Sequence, residues 1–149
     1  MEEELANDLL VRHWSGRTLP VDPFEIAQRQ GLSIAPVFDA SGWYKPKEGA
    51  IGFNPSEPHV RQRFAVARQL GHHCLSHGER VQAFEAPFAS CDPCVEQANR
   101  FAMALLMPEG SVRLLVVDRG VTDVSLLARY FNVSEQALGA RLKGLGRIG

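Results

Sequence analysis

The sequence predicts an α+β fold in which a small antiparallel sheet packs against several helices and a helical tail closes the C-terminus. Three observations predict it. Apolar residues recur at helical spacing in segments spread from residue 4 to residue 142. Strand-like alternation is confined to residues 32–54. The 149 residues are 45% hydrophobic and 22% charged, which suits one globular domain over residues 1–149.

The elements follow in order. Residues 4–14 read as a helix with Leu5, Leu9 and Leu10 on one face. A second helix begins at Asp22-Pro23-Phe24-Glu25. Asp22 is a capping residue, Pro23 suits the first helical position, and Glu25 can close a capping box. Gly31 stops that helix. About three short strands come next, in Leu32–Val37, Gly42–Tyr44 and Ile51–Asn54. Val60 to Ser76 forms a long helix whose face carries Phe64, Ala67, Gly71, Cys74 and Leu75. Gly78 to Ala89 reads as a loop. Pro93 to Met107 is the next helix, capped by Asp92 and ended by Pro108, with Ala98, Phe101, Ala102, Leu105 and Leu106 as its buried stripe. Glu109–Asp118, Val124–Phe131 and Glu135–Leu142 complete the tail, with Thr122 and Ser134 as N-caps.

Composition excludes several classes. Lys and Arg total 16 against 17 Asp and Glu, so the chain lacks the basic excess on which non-specific nucleic-acid binding feeds. The acidic start, Met1-Glu2-Glu3-Glu4, has the wrong sign for a signal or transit peptide. The longest fully apolar run, Phe101 to Met107, is far short of the roughly 20 residues of a membrane span. The expectation is a cytoplasmic protein with no membrane partner. Three cysteines make a disulfide framework an unsuitable reading.

Two stretches carry the chemistry. One is Arg63-Phe64-Ala65-Val66-Ala67-Arg68-Gln69-Leu70-Gly71-His72-His73. The other runs from Glu96-Gln97-Ala98-Asn99-Arg100-Phe101-Ala102 through Met103-Ala104-Leu105-Leu106-Met107-Pro108. Together they resemble the ImmA/IrrE family of metallopeptidase-like proteins. The first is similar to its RFTLAHELGHH helix and the second to its ExxANRFAxxLLMP helix. Pro20-Val21-Asp22, Ile51 to Asn54 and the segment Leu127 to Leu142 extend the resemblance over nearly the whole chain.

The resemblance implies a zincin-like fold and zinc-dependent peptide hydrolysis. In HExxH, histidines at i and i+4 share one helix face and reach one zinc ion. The intervening glutamate is the general base for a zinc-bound water. A glutamate on the later helix is the third ligand. The resemblance also implies helix-turn-helix repressors as partners, roles in stress responses, and toxins paired with antitoxins.

The chain departs from the pattern at the chemistry. Arg68 stands where the first zinc histidine belongs, and Gln69 where the general base belongs. His72 matches the second histidine. Val95 occupies the third-ligand position, with Glu96 one residue later and rotated by about 100°. Arg68 is a permanent cation and cannot ligate zinc, and Gln69 cannot accept a proton at neutral pH. The expected state is a degenerate site without a cofactor, in which Arg68 pairs with Glu96 or a nearby carboxylate. The competing reading keeps zinc through His72, with Glu96, Cys91 or Cys94 as further ligands. His72, His73, Cys74 and His77 cluster there, and Cys91-Asp92-Pro93-Cys94 is a CxxC pair. The plainer reading makes Cys74 a core residue and the lone CxxC a weak signal.

The segment from Val121 to Gly146 is also similar to a helix-turn-helix. Arg141 and Lys143 would then face DNA, with four basic and two acidic residues from Thr122 onward. Three functions thus emerge. The first is a degenerate peptidase-like protein that binds a helix-turn-helix regulator or antitoxin, as toxin or regulator. The second is an active metallopeptidase with an altered site. The third is a DNA-binding regulator.

Overall fold

The computed structural model describes residues 1–14, 17–82 and 92–146. Helix α1 (Glu2–His13) has Glu2, Glu3 and Glu4 in its first turn and Arg12 and His13 in its last. That polarity complements the helix dipole. Its buried residues Ala6 and Leu9 face α4 (Pro93–Leu106).

Helix α2 (Pro23–Arg29) starts as its sequence demands. The Asp22 carboxylate accepts from the backbone N–H of Phe24 at 3.0 Å, with Glu25 N–H at 3.4 Å. Glu25 does not return the favour as a capping box. Its carboxylate is drawn to Arg17 and to Arg29, one turn on at 3.0 Å.

The sheet has four short strands: β1 (Ser33–Pro36), β2 (Gly42–Lys45), β3 (Ala50–Phe53) and β4 (Arg80–Gln82). Their spatial order is β1-β3-β2-β4. The β2–β3 hairpin is antiparallel, turning through a short 3-10 segment at Pro46–Glu48. Two features correct the expected antiparallel three-stranded sheet. β1 pairs parallel to β3, with Ile34 opposite Ile51, because residues 37–41 carry the chain across before β2 begins. The presumed loop after α3 contributes β4, whose Val81 lies opposite Trp43.

Helix α3 (His59–Cys74) lies across the sheet and against α2 and α4. Every residue from Arg63 to His72 is buried, so this helix is the centre of the molecule. It packs tightly against α4 at Gly71. A Cβ there would stand 3.0 Å from a ring carbon of Phe101 and 3.2 Å from the Ala98 carbonyl oxygen. α4 buries the expected stripe of Ala98, Phe101, Ala102, Leu105 and Leu106. Complete burial of Phe101 alone contributes about 2–3 kcal/mol.

The tail continues with α5 (Glu109–Arg113), whose last turn widens into a π-helix at Leu114–Asp118. α6 (Val124–Phe131) is capped by Asp123, accepting from Leu126 N–H at 3.1 Å, rather than by Thr122. Asn132 takes a left-handed turn (φ 57°) into α7 (Glu135–Gly144), which Ser134 caps as expected. No helix among the described residues is long and apolar enough to cross a membrane.

Candidate functional site

Arg68, Gln69 and His72 occupy i, i+1 and i+4 of α3, the spacing that puts 68 and 72 on one face. All three are almost sealed from solvent, at 4%, 1% and 1% exposure. His72 has found partners. Its Nδ1 lies 2.8 Å from Nδ1 of His77, and His77 Nε2 lies 3.0 Å from Oε1 of Gln97 on α4. A polar chain therefore runs from α3 through the following loop to α4. Burial pushes the His72 pKa down to about 3, helped by the neighbouring His77, Arg80 and Arg68. His72 is a neutral imidazole at pH 7.

Arg80 on β4 closes the same corner. Its Nη1 pairs with Asp92 at 3.1 Å, and Asp92 also caps α4 by accepting from the Cys94 N–H at 2.9 Å. These contacts hold the Asp92 carboxyl below its ordinary range, the Cys94 N–H first and Arg80 after it.

Arg68 and Gln69 are different. Arg68 Nε and Nη1 and both amide atoms of Gln69 are buried without a hydrogen-bond partner. Arg68 lies over Phe64, 5.5 Å from the ring centroid. Burial lowers its pKa to about 10, with the field of Glu57 acting in the other direction, so it stays charged at neutral pH. Gln69 Nε2 points at the sheet, 3.3 Å from where a Cβ on Gly42 would stand.

The expected Arg68–Glu96 pair is not formed. Glu96 is exposed on α4, where its one-residue offset turns it to solvent, and Gln97 is the residue that reaches inward. Val95 is half-buried. Cys94 is half-buried at the start of α4, and Cys91 lies outside the described residues. Cys74 packs against the core as a thiol, its pKa pushed up to about 11 by burial. His73 lies 3.1 Å from the Tyr44 hydroxyl, tying α3 to β2.

The residues suggested for DNA contact are separated. Arg141 is 7% exposed. It donates from Nε to the Met107 carbonyl at 3.0 Å and grips Glu3 with both terminal nitrogens, at 3.0 and 2.6 Å. Lys143 is exposed on α7.

The IrrE N-terminal-like domain model matches residues 23–143, from the start of α2 into α7. The chain belongs to this family. No curated protein matches the chain. Among solved structures, the IrrE-like chain is similar to a Mycobacterium tuberculosis transcriptional regulator at 20% identity and a TM-score of 0.67. The likeness covers 95% of this chain but only 46% of that one, so the IrrE-like fold spans about half of the regulator's length.

The family resemblance raises the question of zinc, and the side chains present do not fit it. Of the motif positions, His72 alone is a donor, and its Nδ1 is occupied by His77. A buried guanidinium takes the place of the partner imidazole and an amide that of the carboxylate. Among the described residues no three His, Cys, Asp or Glu side chains gather to hold a metal. His77, Gln97, Arg80 and Asp92 complete the site; of these the sequence singled out His77, in the histidine cluster, and Asp92, as the cap of α4.

Proposed function

We propose that this IrrE-like domain acts by binding a protein partner and not by zinc-dependent hydrolysis. The partner is a helix-turn-helix regulator, or an antitoxin for which this chain is the toxin. One observation carries the reading. The positions that would bind zinc and activate water are held by Arg68 and Gln69, buried in an otherwise intact helix pair. A cation at that point repels a divalent ion, and an amide cannot take a proton from water. The surrounding architecture, from the α2 cap to the α3–α4 contact, keeps its form. The fold shared with part of a transcriptional regulator is in keeping with a regulatory setting.

The test takes as candidate partner any helix-turn-helix protein encoded in a gene adjoining that of this chain. The two purified proteins are mixed with and without added zinc. Complex formation is followed by size-exclusion chromatography with light scattering, and cleavage by intact mass. The proposal expects a complex of uncut chains in both conditions. Zinc-dependent cleavage of the regulator would overturn it.

A further inference from the structure

We infer that the Arg68 guanidinium forms a receptor for a single carboxylate presented by the protein partner. The inference rests on the partner-binding reading and names the chemistry by which the partner is recognised.

A buried guanidinium is ordinarily hydrogen-bonded, because leaving its donors unmatched is costly. Here two of its three nitrogens are buried without a partner, and Gln69 beside it has both amide atoms unmatched. The third nitrogen, Nη2, is outside that sealed set. Both donor forks of a guanidinium include Nη2, so an acceptor arriving there can engage Nε or Nη1 at the same time. The planar fork matches the two oxygens of a carboxylate.

Charge selects a monoanion. Arg80, the other cation that bears on His72, is already neutralised by Asp92 at 3.1 Å. His72 is neutral. Glu57 bears on Arg68 from a distance, while its carboxylate faces Arg61 at 3.6 Å. Among the described residues Arg68 has no ion-pair partner, so the local excess is one positive charge. A carboxylate cancels it, whereas a phosphate dianion overshoots it and costs more to desolvate.

The test follows the Arg68 Nε–H signal of the whole chain by NMR while sodium acetate replaces sodium chloride at constant ionic strength and pH 7. Acetate is expected to shift that signal saturably, with sulfate, a dianion at this pH, much weaker. Arg68→Met lacks the reporter and serves to assign it, so acetate binding is read on the native chain. If Arg68→Met does not fold, the acetate and chloride arms on the native chain decide alone. Equal effects of acetate and chloride overturn the site, because they report ionic strength only. Two further probes separate the source of the carboxylate. N-acetylglutamate α-amide offers a side-chain carboxylate and N-acetylalanine a chain end. The tighter of the two identifies the partner's group, and either result supports the site. With that candidate partner, equal affinity for native chain and Arg68→Met overturns this inference while leaving partner binding intact. Saturable acetate binding with no regulator complex keeps the site and removes the partner reading.

Discussion

His72 and His77 face each other nitrogen to nitrogen, with their Nδ1 atoms 2.8 Å apart. One of the two must donate and the other accept, so the pair tolerates one proton between those atoms and not two. A second proton would aim two N–H groups at each other and add one positive charge next to Arg68 and Arg80.

This arrangement makes stability depend on pH. The His72 pKa falls from 6.5 to about 3 on folding, chiefly through burial. Between those values the unfolded chain binds the extra proton and the folded chain does not. Stability is therefore full above pH 6.5 and declines as pH falls towards 3, at up to about 1.4 kcal/mol per unit. His73, also lowered by burial, acts in the same direction. Urea unfolding of native chain and His72→Gln at pH 7 and pH 5 checks this. The native chain should lose more stability than the variant.

Arg68→Met should stabilise the isolated protein by about 1–3 kcal/mol, because it removes a buried charge with unmatched donors and keeps most of the volume. The urea midpoint should rise with an unchanged slope. A lower midpoint would mean that Arg68 has satisfied partners in the free chain.

Arg68→His, Gln69→Glu and Val95→Glu together should return zinc binding near one ion per chain, measured by elemental analysis after dialysis. The spacing of α3 and α4 is already in place, so the three side chains are what is missing. Arg68→His with Gln69→Glu, lacking the third ligand, should hold zinc much more weakly.

Arg141→Ala should cost about 2–4 kcal/mol, seen as a fall in unfolding free energy. The change strands the Met107 carbonyl and leaves Glu3 without its two-pronged partner. Arg141→Lys keeps the charge but not the fork, and should recover only part of the loss.

Much of the fold was legible in the chain. Asp22-Pro23 located α2 because a cap and a fixed φ act locally. The apolar stripe from Ala98 to Leu106 located α4 for the same kind of reason. β4 was not legible, since Arg80-Val81-Gln82 has a single apolar residue and takes its pairing from Trp43, far away in sequence. Thr122 and Asp123 are both competent caps, and only the backbone path chooses between them. At the site, the replaced motif positions were readable one by one. That His77 bridges His72 to Gln97, and that Arg68 finds no ion-pair partner among the described residues while Glu96 faces water, depends on how α3, its following loop and α4 meet.

The contact at Gly71 gives that meeting a mechanical meaning. In a metal centre the ion doubles as a clamp between the elements that hold it. Here Gly71 lets α3 close against Phe101 and the Ala98 carbonyl until atoms touch, so the gap between the two motif helices is gauged by hard contact. Exchange of the side chains at 68, 69 and 95 can therefore change the chemistry between the two helices while this contact still sets their spacing.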